Sequence, residues 1–286
     1  MAKWVIATVL ALAVTPAAAQ SSCGVFDFAG PYADAYFKAA PYPEGAKAAE
    51  MIRTIPDGAC HQDRLLPLLS ETLGPVIGYK AAATSPGAQK QLGLDGPVLG
   101  VLFQDQMRRS GATVKIAEGA RMIFELDLLV RVKSDAINQA KTPEEALAAL
   151  DAVIPFIELG DLMTPKGVEV KGPLLLAMNA GSRAGVMGEP VPIDGMTADD
   201  LLAIKGRLSR GGTLLAEADA SNLLGHPLEA VLWIVKAANA RGMPLKAGDL
   251  LSLGSMGRFQ MAAPGLIEAV YDGLGEGPVG VSLTLQ

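Results

Sequence analysis

Hydrophobic and polar positions change their rhythm near residue 96. Before it, "PEGAKAAEMIRTIPDG" carries apolar residues at Ala46, Ala49, Ile52 and Ile55, and "HQDRLLPLLSETLG" repeats the habit until Gly74. That spacing predicts helices. "PVIGYKAAATS" then reads as a short strand running into a loop. From Gly96 onward the apolar residues come in short runs broken by glycine and proline, the pattern of a β-rich region. Two helices interrupt it. "TPEEALAALDAV" has Thr142 as N-cap, Pro143 at the first helical position and two acids in the first turn. "HPLEAVLWIVKAANARG" ends on Gly242, a residue suited to close a helix. "LAIKGRLSRGGTLLAEADA" predicts a hairpin turning at Gly211-Gly212, and the tail "GLIEAVYDGLGEGPVGVSLTL" a second one. The fold class expected is α+β, a large mixed β region with a helical N-terminal cap.

One run breaks the apolar pattern. In "MIFELDLLVRV", strand alternation puts Glu125 and Asp127 on one face, with Cα atoms roughly 6.6 Å apart. By themselves the two acids fit a strand face turned to solvent. Like charges that close otherwise need a cation between them or a proton on one. "DAVIPFIELGDLM" adds Glu158 in another apolar run, with the capped helix in between. A strand–helix–strand unit of that size can set both strands side by side, making a three-carboxylate oxygen site suited to Mg²⁺ or Mn²⁺. Asp161 reads as a loop residue.

Composition narrows the partners. The chain of 286 residues is half hydrophobic and 19% charged, enough to bury a sizeable core. Its net charge of -6 comes without any block of like charge, which argues against nucleic acid or anionic lipid. Residues 1–19 have the anatomy of a secretory signal peptide, with one early lysine, an apolar stretch shorter than a membrane span and small residues at 17–19. Cleavage after Ala19 predicts a periplasmic or secreted protein with no membrane segment. In that setting Cys23 and Cys60 predict one disulfide, two buried thiols being the alternative. With two cysteines and two histidines, a Cys/His zinc site is all but excluded.

"GYKAAATSPGAQKQLGLDGPVLGVLF", "FELD", "PFIEL", "MNAGSRAGVMG", "GHPLEAVLWI" and "GDLLSLGSMG" follow one another in an order that resembles the 2-keto-4-pentenoate hydratase branch of the fumarylacetoacetate hydrolase superfamily. The resemblance runs from about Gly78 to the C-terminus. It implies a mixed β-roll catalytic domain over 78–286, with 20–77 as a helical N-terminal region. It also implies a divalent metal (Mg²⁺ or Mn²⁺) on Glu125, Asp127 and Glu158, a small 2-oxo carboxylate as substrate, and a homo-oligomer. Asp127 stands where the family writes Glu, one methylene longer. Lys80 matches the active-site lysine, either binding the substrate carboxylate or moving protons. Ser85, Asn179 and Arg183 match positions near substrate, Arg183 as a bidentate partner for a carboxylate or simply an arginine at a strand edge. Gly181 and Gly185 are expected to let backbone approach a ligand. His226 reads as a helix cap.

The resemblance implies a hydro-lyase that adds water to a 2-hydroxy-2,4-dienoate through a metal-stabilised enolate. Acylpyruvate hydrolysis and 2-oxo acid decarboxylation use the same kind of site, and an exported binding protein without turnover is the third possibility. Val98, where hydratases of this branch often carry Asp, and Leu253, where they often carry Thr, are the departures.

Overall fold

The computed structural model describes residues 23–286. The segment assigned to a signal peptide lies outside them. Helices α1 (Ala29–Phe37), α2 (Gly45–Met51) and α3 (Ile55–Leu73) build the N-terminal region. The helical pattern read through residues 43–58 breaks between α2 and α3, because Thr54 caps α3. Its hydroxyl accepts from Asp57 N while Asp57 accepts from Thr54 N, a reciprocal cap that needs extended backbone at Thr54. Cys60 on α3 is disulfide-bonded to Cys23, with Cα atoms 5.5 Å apart. Among the described residues no helix is long and apolar enough to cross a membrane.

The larger sheet runs β2 (Val98–Phe103), β1 (Val76–Ala82), β11 (Leu250–Ser255), β5 (Met122–Val132), β6 (Leu150–Asp161), β7 (Ser182–Met187) and β3 (Met107–Arg109), with β12 (Gln260–Met261) on β5 and β8 (Val191–Pro192) on β6. The smaller sheet runs β10 (Thr213–Asp219), β9 (Lys205–Arg210), β13 (Gly265–Asp272), β14 (Val279–Leu285) and β4 (Ala112–Val114). Both expected hairpins form, β9 with β10 and β13 with β14. The pairs β1·β11, β3·β7 and β14·β4 are parallel, so both sheets are mixed. Helices α4 (Pro86–Leu92), α5 (Pro143–Ala148), α6 (Gly172–Ala177), α7 (Ala198–Leu202) and α8 (Pro227–Ala240) fill the connections. The architecture is the α+β mixed β-roll with a helical N-terminal region expected from the sequence.

Strands β5 and β6, joined through α5, pair antiparallel along almost their whole length. Both faces of β5 are covered, which is why its sequence is nearly continuous apolar residue. Leu126 packs beneath Gly206 of the smaller sheet. On the opposite face Leu129, Ile154, Phe156, Leu102 and Leu250 form a satellite apolar cluster. Glu125, Asp127, Glu158, Ser252 and Lys80 continue that same face.

Candidate active site

Strand register alone assembles the site. Glu125 on β5 is the cross-strand partner of Glu158 on β6. Lys80 on β1 is the partner of Ser252 on β11, which neighbours β5. Four adjacent strands therefore present Lys80, Ser252, Asp127 with Glu125, and Glu158. In a flat sheet β1 and β6, three places apart, lie roughly 14 Å from each other. Yet the Lys80 ammonium donates to a Glu158 carboxylate oxygen, so the sheet curls toward this face and makes it concave.

Lys80 and Glu158 are both buried, and Asp127 is fully so. Burial pulls the Lys80 ammonium below its ordinary value, while Glu125 and Asp127 act in the other direction. Burial pushes Asp127 up to about 7, offset in part by the Ser252 hydroxyl. Glu125 keeps part of its surface open, but burial of its carboxyl still raises it, against the pull of Lys80 and a hydrogen bond with Ser255. This face thus gathers three acids and one amine, with charge among them limited by desolvation.

Asp127 is held from several sides. Its Oδ1 accepts from Leu128 N at 2.6 Å and Gly254 N at 3.1 Å, and its Oδ2 accepts from Ser252 Oγ at 2.5 Å. Behind it, Tyr271 from the smaller sheet donates to the carbonyls of Asp127 at 2.5 Å and Phe156 at 2.8 Å. Of about four acceptor positions on the carboxylate, one remains. Among the described residues, no group of three or more His, Cys, Asp or Glu side chains is drawn together as a ready metal cluster. The residues expected to hold a metal are Glu125, Asp127 and Glu158. They share one face, but the cation among them is the Lys80 ammonium, and Asp127 is turned toward β11.

Two residues expected to meet substrate are engaged within the protein. Arg183 is buried on β7 and donates through Nε at 3.0 Å and Nη2 at 2.6 Å to Asp161 Oδ2. Its guanidinium also lies 3.6 Å from the centre of the Tyr36 ring and donates to Tyr36 O. Its carboxylate partner in this structure is Asp161. Asp161 is no loop residue: it ends β6 and accepts from the backbone N–H groups of Ala120 and Arg121. Asn179 accepts from Val101 N at 2.8 Å and Gln62 Nε2 at 3.0 Å and donates to Val101 O at 2.9 Å, so three of its four hydrogen-bonding positions are taken.

Ser85, half-buried, caps α4 by accepting from Ala88 N and keeps its hydroxyl proton for another partner. Gly185 makes room not for a ligand but for the Phe156 ring, which a Cβ would meet at 2.1 Å. His226 is the cap expected: its Nδ1 accepts from Leu228 N, so Nε2 carries the proton and donates to Ala198 O. Val98 and Leu253 are both buried in apolar surroundings.

Ser252, Ser255, Tyr271 and Gln62 were not singled out in the sequence. Ser252 carried the same signal as Glu125, a polar residue inside an apolar run. Gln62 lies on the same helical stripe as Leu65 and Leu69, a polar member of a buried face.

No family model matches the chain. Its fold is that of the fumarylacetoacetate hydrolase superfamily. It superposes on 4-oxalocrotonate decarboxylase from Pseudomonas putida G7, solved with magnesium and adipate, with a TM-score of 0.79 and 22% identity over 90% of this chain and 95% of that one. It also matches fumarylpyruvate hydrolase from Pseudomonas aeruginosa, solved with Mn²⁺ and pyruvate, at a TM-score of 0.52 and 14% identity, covering 72% and 88% of the two chains. In sequence it is 30% identical over 203 residues to 2-keto-4-pentenoate hydratase of Paraburkholderia xenovorans (strain LB400), covering 70% of this chain and 74% of the relative. Identity to 2-hydroxyhexa-2,4-dienoate hydratase of Comamonas testosteroni is also 30%, over 208 residues, or 70% and 76% of the two. The chain belongs to the 2-keto-4-pentenoate hydratase family and is an enzyme of that type.

Proposed function

We propose that the chain is a metal-dependent hydratase of a small 2-hydroxy-2,4-dienoic acid, forming a 4-hydroxy-2-oxo acid. The observation that carries this reading is a buried amine, Lys80, paired with Glu158 and facing Glu125 and Asp127 on the concave face of this fold. The donor set is all hard oxygen, which suits Mg²⁺ or Mn²⁺. Glu125 and Glu158 would hold the ion, with Asp127 offering its one remaining position once Lys80 gives up Glu158. A divalent cation there supplies Lewis acidity toward the oxygens of a 2-oxo carboxylate.

The remaining work falls to the chain. Lys80, its affinity for a proton reduced by burial, takes the proton from the C2 hydroxyl of the dienol, and a proton is delivered at C5. Water then adds at C4 and a proton at C3, so that one water is consumed overall. Ser85, which follows β1 and keeps its hydroxyl proton, would hold the substrate carboxylate or the water. The disulfide between Cys23 and Cys60 supports an oxidising compartment, in agreement with the leader-like N-terminus.

Decarboxylation of a 2-oxo acid is the second reading. It is favoured by Val98, which brings no acid to the face beside Lys80 where a water would be activated. The test is a thermal melt with Mn²⁺, with and without oxalate, on wild type and Glu158→Ala, followed by assays on a 2-hydroxy-2,4-dienoate and an unsaturated 2-oxo dicarboxylate. Oxalate copies the chelating face of a 2-oxo acid, and a ligand that binds only the native state raises the melting temperature. Stabilisation by both in wild type and by neither in Glu158→Ala is the expected result. Equal responses in the two proteins would remove the metal from the site.

A further inference from the structure

Lys80 reaches Glu158 through a slot that other residues build. Its strand partner on β2 is Gly100. A Cβ on Gly100 would lie 2.6 Å from Lys80 Cγ, 3.0 Å from Lys80 Cδ and 3.0 Å from the Ala180 Cβ. Gly100 is not in the left-handed region, so what it supplies is space for the lysine stem.

The opposite wall is Ala180, and its backbone is unusual. Asn179 at φ 52° and Ala180 at φ 55° both occupy the left-handed region that non-glycine residues avoid. Strain of this kind persists where the surroundings over-determine it. Here they do: the Asn179 amide grips Val101 through both its N–H and its carbonyl, immediately after Gly100. Gln62 from α3 donates to Asn179 Oδ1 and to Leu99 O, immediately before Gly100. Arg241, beyond the end of α8, donates to Gln62 Oε1 and to Asp63. The backbone of β2 is thus fastened on both sides of Gly100, and the same bonds press Ala180 over the lysine stem.

We propose that Gly100 and Ala180, clamped by Asn179 and Gln62, are positioning residues that aim Lys80 at the carboxylates. The inference rests on the reading of Lys80 as the amine that moves the proton. It assigns Asn179 a role through Lys80 in place of contact with substrate.

The experiment compares Gly100→Ala, Ala180→Gly and the double variant by steady-state kinetics, thermal melting and metal-free crystal structure. In Gly100→Ala, kcat falls at least tenfold with KM within twofold, and Lys80 Nζ leaves Glu158. The double variant, in which the new methyl replaces the lost one, recovers most of kcat and the contact. Ala180→Gly alone removes both the wall and the backbone strain. It melts no lower than wild type, yet loses kcat, an outcome that a purely structural role for Ala180 does not produce. This variant decides the matter even if Gly100→Ala does not fold. Wild-type kcat in Ala180→Gly, with Lys80 still on Glu158, overturns the proposal. If wild type turns over neither substrate class, the functional reading fails, and the position of Lys80 in the variant crystal structures still decides the slot.

Discussion

Glu125 and Glu158 face each other as one cross-strand pair, and Lys80 bonds the second of them. Two like charges directly opposite destabilise a sheet, so the amine has a structural part here. Replacing Lys80 with Met leaves buried carboxylates without their cation. Removing one partner of a buried ion pair costs about 3–5 kcal/mol. Lys80→Met is therefore expected to unfold at clearly lower urea concentration in chelator, to regain much of the loss in Mn²⁺, and to have no turnover. A variant as stable in chelator as wild type contradicts this account of the pair.

The ion pair of Arg183 and Asp161 makes a second case. Both side chains are buried, and Asp161 also accepts two backbone N–H groups. Asp161→Asn and Arg183→Met should each destabilise by about 3–5 kcal/mol, each leaving one charge unpaired. The double variant should lose less than the sum of the two, because no unpaired charge remains. Denaturant unfolding of the four proteins measures the coupling. Simple additivity would mean the pair contributes nothing through its charges.

What could be read from the sequence divides along a physical line. Period-two alternation places Glu125 and Asp127 on one face, and the length of the connection places Glu158 beside them. Caps and hairpins, such as Thr142, His226 and Gly211-Gly212, are set by residues within a few positions of each other. The partner of Arg183 depends instead on α1 and the end of β6 arriving at the same place, with Tyr36 and Asp161 both distant in the chain. Asn179 carries no mark of its left-handed backbone beyond its residue type, and its clamp on Val101 exists only once β2 is in place. The closure of Lys80 onto Glu158 depends on sheet curl, which no local pattern records.

Acid should weaken the N-terminal region through His61. Its ring is buried edge-on against Phe26 and Phe28, and among the described residues Nδ1 has no hydrogen-bond partner. Burial lowers its pKa, helped by Arg64 and opposed by Asp57 and Asp27. The folded state therefore binds a proton less readily than the unfolded chain, whose histidine titrates near about 6.5. Stability is full above that value and is lost as pH falls through it toward the folded pKa. His61→Phe keeps a ring and removes the titration. Between pH 8 and pH 5 wild type should lose more stability than His61→Phe, measured by urea midpoints. Parallel pH profiles would show that His61 titrates alike in both states.

The disulfide fastens this same region to α3. Cys23 and Cys60 are 37 residues apart, and closing a loop of that size in the unfolded chain is worth about 4 kcal/mol in the chain-entropy model. Cys60 precedes His61 and Gln62 on α3, and Gln62 is the residue that holds both Asn179 and the Leu99 carbonyl. Loss of the bond is thus expected to act on stability first and on the lysine slot second. In the Cys23→Ser/Cys60→Ser variant the melting temperature should fall by several degrees, with kcat near that of wild type at temperatures well below the melt. As the temperature approaches the new midpoint, activity should disappear ahead of global unfolding, because the N-terminal region that carries Gln62 loosens first. Parallel loss of activity and of far-UV circular dichroism would mean that α3 stays with the sheet until the whole fold melts.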